Sequence, residues 1–146
     1  ALCRSSRLFM REIAFRATTT AILAKRDLLF HRGAVATQTA YMIQGDLQYT
    51  MKNRSQKITR WQVELGEAGK WACEAVLWVP WVHVGSLFAC TETEVITVGA
   101  KEFGAIAISY PDVSSRVFDY ACSFVVKLNQ NIFGPEDMSP NLDAAE

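Results

Sequence analysis

Residues 69–86 read GKWACEAVLWVPWVHVGS. After Lys70 the stretch is apolar and rich in tryptophan (Trp71, Trp78, Trp81), with one carboxylate, Glu74, and one imidazole, His83. A lone polar group in a half-buried run is either a satisfied group at the edge of a core or a group that faces a ligand. Both readings are open for both residues. Glu74 suits the positive end of a short helix starting near Ala75 as well as it suits a ligand hydroxyl. An imidazole readily finds a backbone partner in a core.

The segments on either side set the architecture. Ile58 to Leu65 reads as a strand ended by Gly66 and Gly69, and Lys52 to Lys57 as the polar tip of the hairpin before it. Leu47, Tyr49 and Met51 alternate as on a half-buried strand, after the short apolar run Ala40 to Ile43 and a turn signal at Gly45-Asp46. Leu28 to Phe30 leads into a turn at Gly33. Ser86 to Ala89 and Val95 to Val98 read as two strands joined by a turn over Cys90 to Glu94. Helical spacing appears at the two ends. Leu8, Ile13 and Phe15 recur among basic residues between Arg4 and Thr20, where Thr18 to Thr20 weaken the helix end. Lys101 to Ile108 suits a short helix. In Val113 to Asn129, the residues Val117, Ala121, Phe124, Val125 and Leu128 share one face. The order of helix, short strands and helices predicts a mainly β domain over 1–134. Its center is an antiparallel β jelly roll (double-stranded β-helix) at 27–99, flanked by helices at 5–18, 101–108 and 113–130, and 135–146 is a polar tail.

Composition narrows the function classes. The chain has 146 residues, half of them hydrophobic, with 15 basic and 15 acidic side chains and zero formal net charge. That gives no electrostatic reason to expect a nucleic acid or a membrane surface as partner. The longest apolar run, Ala75 to Val82, is far short of the roughly 20 residues that span a bilayer, so no direct membrane insertion is expected. Cys3, Cys73, Cys90 and Cys122 are dispersed and form no C-x-x-C pair. They read as buried reduced thiols, and the expected location is cytoplasmic, including the cytosolic part of a membrane protein. The missing initiator Met and the polar end Asn141 to Glu146 lead to the expectation of a domain from a larger protein. His31 and His83 form no H-x-H or H-x-x-x-H spacing, and the chain has no G-x-S-x-G and no P-loop. The expectation is a non-enzyme with no catalytic residue, no metal and no cofactor.

Two groups of motifs resemble the cyclic nucleotide-binding domain family. That family has a small β jelly roll, an N-terminal helical piece and C-terminal helices that move when nucleotide binds. Its first signature is a strand and Gly, followed by a tyrosine-containing strand and a second Gly. Here Phe30-His31-Arg32-Gly33 precedes Ala40-Tyr41-Met42-Ile43-Gln44-Gly45 with the family's glycine spacing, and Ala36 stands where the family usually has another glycine. The second signature is the phosphate-binding cassette, G-D-Y-F-G-E-(L/I)-A-L-L then P-R-A-A-T. Gly69 to Leu77 aligns with its first half and Val82 to Ser86 with its second, without gaps. Thr97 to Phe103 is similar to the return strand and helix start. The wording E-A-V-L-W-x-P-W-x-H looks like divergent relatives in single-celled eukaryotes.

The resemblance implies a ligand pocket at Cys73, Glu74, Ala75, His83 and Ser86, with cAMP or cGMP, or another small anion, as candidate ligand. In the family the Glu accepts from the ribose 2′-hydroxyl, the Arg pairs with the cyclic phosphate, and a Gly lets backbone N–H groups approach the anion. Here the Glu is Glu74, the Arg is His83, the Gly is Cys73 and the Thr is Ser86. Losing a desolvated charged contact costs about 2–5 kcal/mol, or roughly thirtyfold to several-thousandfold in affinity. Two functions follow as expectations. One is a regulatory ligand-sensing module of a channel, kinase or other signaling protein, with weak or lost nucleotide binding and Val113 to Asn129 as lid. The other is a structural or interaction domain whose pocket is filled by Trp and His side chains and whose helices dock other domains of the parent protein or a neighboring subunit. An open cavity beside Glu74 favors the first; Trp78 or Trp81 inside it favors the second.

Overall fold

In the computed structural model, residues 2–51 and 57–130 are described. The architecture is an antiparallel jelly roll with flanking helices, as expected, and it is organized around one long strand. Strands β1 (Thr18–Leu23) and β2 (Leu28–Phe30) precede β3, which runs from Gln38 to Met51. Then come β4 (Lys57–Val63), β5 (Lys70–Ala72), β6 (Ser86–Ala89) and β7 (Thr93–Gly99). At 14 residues β3 is more than twice the usual strand length of about 5–6. Its first half pairs with β7 and β5, and its second half with β4 and β6. β1 extends the first face by pairing with β7, and β2 extends the second by pairing with β6.

The Gly45-Asp46 turn signal is corrected here. The chain passes through both residues as strand, and the ladder to β7 slips between Met42 and Gln44. Gly45 has φ 122°, and a Cβ built on it falls 2.4 Å from Oγ1 of Thr93. Glycine is needed because β3 bends across β7 at that point, not because the chain reverses. The expected alternation holds beyond the bend, where Leu47, Tyr49 and Met51 are buried. They join Met42, Trp61, Val63, Ala72, Leu87, Ala89 and Val95 in the barrel core.

The N-terminal boundary also shifts. Helix α1 spans Leu2–Glu12 and continues as one π-helical turn, Ile13–Ala17. The expected helix of 5–18 overran into Thr18, and the jelly roll starts there rather than at 27, because Thr18–Leu23 pairs in register with Val98–Thr93. Three consecutive threonines are better strand formers than helix formers, and the neighboring β7 decides the choice. Helix α2 spans Ala100–Ile108 and α3 spans Pro111–Asn129, with Pro111 at the first turn, where its missing N–H is harmless. A second core joins the helices to the barrel end through Phe9, Ile13, Ala17, Val98, Ile106, Ala107 and Val113. The face of α3 read from spacing is the sheltered one: Phe124 is buried, and Val117, Ala121, Val125 and Leu128 are half-buried.

The cysteine reading holds in part. Cys73, Cys90 and Cys122 are free thiols, with Cys73 buried and Cys90 half-buried. Cys122 is exposed, which corrects the expectation of burial, because it lies off the sheltered face of α3. The side chain of Cys3, the tail 135–146 and the hairpin tip Lys52 to Lys57, apart from the backbone of Lys57, lie outside the described residues. Among the described residues no helix is long and apolar enough to cross a membrane.

Gly45→Ala should destabilize the domain by about 3 kcal/mol, from overpacking against Thr93 plus backbone strain. Gly66→Ala is the control: Gly66 also has positive φ, but nothing lies within 4 Å of its built Cβ. It should cost about 1 kcal/mol, the backbone term alone. Urea unfolding of both variants measures the difference, and equal costs would remove the crossing constraint.

Candidate functional site

The candidate site is built on the segment that follows β5. After Ala72 the backbone turns through Cys73 with φ 61° and ψ 40°, then forms a short 3-10 turn, Glu74–Leu77. Cys73 therefore keeps a left-handed conformation that a glycine would adopt freely, at a cost of roughly 1–2 kcal/mol. Its side chain is 1% exposed and packs with Ala36 and Val76. Ala75, also buried, accepts N–H bonds from Trp78 at 3.0 Å and Val79 at 2.9 Å and so closes the turn.

His83 reaches the same place from a different segment. The strip Trp81 to His83 is tied to Gly33 to Ala36 by main-chain bonds. His83 N–H donates to Ala34 O at 2.9 Å, Gly33 N–H to His83 O at 2.8 Å, and Ala36 N–H to Trp81 O at 2.9 Å. The imidazole is buried and lies flat on Phe30, with centroids 3.8 Å apart and planes 5° from parallel. Its Nδ1 is 3.7 Å from Cys73 Sγ. Beside them is a cavity of about 190 Å³ whose walls include Phe30, His31, Thr37, Gln38, Cys73 and His83.

Of the five residues singled out in the sequence, Cys73 and His83 meet at this cavity, and the other three are not in its wall. Glu74 faces the helices: its Oε1 accepts from the Tyr120 hydroxyl at 2.7 Å and from Trp78 Nε1 at 3.3 Å. Burial, and secondly the hydrogen bond to Glu74, push the Tyr120 phenol well above its ordinary range. Ser86 Oγ accepts the Arg32 N–H at 3.0 Å at the start of β6. Ala75 is buried within the 3-10 turn itself.

The tryptophans stay out of the cavity. Trp78 packs against Phe103 at 5.6 Å, Tyr120 at 5.3 Å and Phe124 at 6.4 Å between ring centroids, sealing the cassette to α2 and α3. Trp78 and Trp81 instead line a second, apolar groove of about 660 Å³ with Val35, Pro80 and Val82. Trp71 lies on Tyr41 at the barrel side, and the Tyr41 hydroxyl accepts the Gly69 N–H at 2.9 Å. Phe30, His31, Thr37 and Gln38 in the cavity wall, and Tyr120 on Glu74, were not identified as site residues from sequence. Phe30 and His31 belong to the first glycine signature, which was the available signal. Tyr120 lies off the apolar face of its helix, and no local pattern announces its bond to Glu74.

Neither a protein-family model nor a curated protein matches the sequence. Solved structures do match the fold. A cyclic nucleotide-binding-like protein from Brucella abortus aligns at 21% identity and TM-score 0.55, over 68% of this chain and 82% of that one. The N-terminal domain of a transcriptional regulator from Streptomyces coelicolor aligns at 17% identity and TM-score 0.64, over 88% and 85%. The sensor domain of the transcriptional regulator DNR from Pseudomonas aeruginosa aligns at 16% identity and TM-score 0.59, over 85% and 83%. By its jelly roll and flanking helices, the chain has the fold of the cyclic nucleotide-binding domains.

Proposed function

We propose that the chain is a non-enzymatic regulatory domain of the cyclic nucleotide-binding type whose nucleotide affinity is weak or lost. It would act in the cytoplasm within a larger signaling protein such as a channel or kinase. The observation that carries this reading is the occupant of the phosphate-arginine position. His83 is committed to Phe30 and Cys73 in a buried stack, and offers no bidentate, permanently charged fork to an anion. The cavity beside it, about 190 Å³, is also below the ~300–1,000 Å³ of typical small-molecule sites.

Glu74 gives the domain a coupling route. One of its oxygens already accepts from Tyr120 on α3, so a ligand hydroxyl recruiting Glu74 competes with the lid helix. By linkage, displacing α3 frees Glu74 for ligand to the same extent. A second reading, an interaction domain that needs no ligand, is favored by the apolar groove at Trp81, Val82 and Val35. Val35 and Val82 are exposed there.

Calorimetry with cAMP and with cGMP near neutral pH should give no saturable binding tighter than about 0.1 mM, given the missing charged contact. A low-micromolar Kd for either nucleotide would overturn the reading of His83. The double change His83→Arg with Cys73→Gly should bring binding into the measurable range, at least about tenfold tighter, by restoring the fork and the close backbone approach. No gain in a folded double variant would favor the interaction domain.

Tyr120→Phe tests the coupling route. It should lower stability by about 1 kcal/mol and speed amide exchange in α3 more than in β3. The raised phenol also fixes a sign. Its contribution is complete below its ordinary value of about 10 and is lost as pH rises above that toward the folded value. Alkaline unfolding should therefore be less steep in the variant, and identical profiles would remove the Tyr120–Glu74 bond as a latch.

A further inference from the structure

We propose that Cys73 and His83 form a thiol–imidazole pair that makes Cys73 a site of oxidation by small hydroperoxides. The proposal is independent of nucleotide binding and rests on three observations. Sγ and Nδ1 are 3.7 Å apart, within hydrogen-bonding range for sulfur. Both groups are held in place: Cys73 by its left-handed turn, and His83 by the Phe30 stack and its main-chain bonds to Gly33 and Ala34. Both line one cavity, so a molecule inside it can meet the sulfur and the base together.

The other described cysteines lack this arrangement. Cys90 Sγ has Gln48 Oε1 at 3.9 Å and the Arg60 guanidinium beside it, neither of which is a base that takes its proton, and Cys122 stands exposed on α3. Size selects the oxidant. A cavity of about 190 Å³ far exceeds the ~10–15 Å³ that holds one water, so a molecule the size of hydrogen peroxide fits. A bulky aryl hydroperoxide does not reach the sulfur as easily. A metal site is less well supported, since among the described residues no three His, Cys, Asp or Glu side chains gather as ligands.

The step balances with the hydroperoxide as the oxidant. With Nδ1 as the acceptor tautomer, His83 takes the Cys73 proton and Sγ attacks the nearer peroxide oxygen. The S–O bond forms as the O–O bond breaks. The sulfur loses two electrons, and the leaving hydroxide or alkoxide takes the proton back from Nδ1 as water or alcohol. Cys73 is left as a sulfenic acid, the first and reversible rung of thiol oxidation. Cys73 directly precedes Glu74 in the chain, and the Glu74 carboxylate holds Tyr120 of α3.

The test exposes the whole chain to hydrogen peroxide and, separately, to cumene hydroperoxide, and follows thiol loss at each cysteine by peptide mass spectrometry. Cys73 should react with hydrogen peroxide about tenfold faster than Cys122 despite its burial, because the thiolate is the reactive form. Cumene hydroperoxide should erase that preference. His83→Gln should slow Cys73 by about tenfold and leave Cys122 unchanged, since an amide cannot take the proton. Should the variant not fold, the ratio in the unaltered chain decides. Cys73 reacting no faster than Cys122 there overturns the proposal, as does a folded His83→Gln chain with an unchanged Cys73 rate.

Discussion

β3 belongs to both faces of the barrel, and it can do so only because nothing projects from position 45 toward Thr93. The hydroxyl of Thr93 bonds back across this crossing: it accepts the Asp46 N–H at 3.1 Å and lies 3.0 Å from Thr91 O. Just past the crossing, the buried carboxylate of Asp46 is met by Arg60 and Gln62 from β4, and it holds the Arg60 guanidinium above its ordinary range. A bend, a buried hydroxyl and an ion pair thus converge on a few residues. From there one half of β3 leads to the cassette through β5, and the other supports β6. The cavity lies between segments that this one strand holds in register.

Much of the architecture was legible because it is written in periodicity. Alternation at Leu47, Tyr49 and Met51 and the 3.6-residue face of α3 are local patterns that burial enforces. Gly45 misled for a physical reason: one residue type serves a reversal and a strand crossing, and only the neighboring Thr93 distinguishes them. The threonines at 18–20 misled in the same way. Their preference is weak in either direction until β7 offers a ladder.

The site was legible at the level of segments and less so at the level of contacts. The resemblance singled out residues 69–86, and within them Cys73 takes a left-handed turn that a glycine would adopt freely. The partners of its polar groups are another matter. His83 meets Phe30, and Glu74 meets Tyr120, across gaps of 53 and 46 residues along the chain. No periodic signal carries such pairs, because each is fixed by the packing of separate elements.

The pairing of β1 has a consequence for how the chain is made. β1 ends at Leu23, and its neighbor in the sheet, β7, begins at Thr93 and ends at Gly99. Synthesis runs from the N-terminus, at ~5–20 residues per second. The first strand is thus translated several seconds before its partner exists. During that interval its main-chain donors and acceptors are unpaired, the condition in which strands find the wrong neighbor. Basic side chains at Arg7, Arg11 and Arg16 lie immediately upstream, and Lys25 and Arg26 immediately downstream. Their like charges repel other copies of the same segment, and so guard it until the barrel closes.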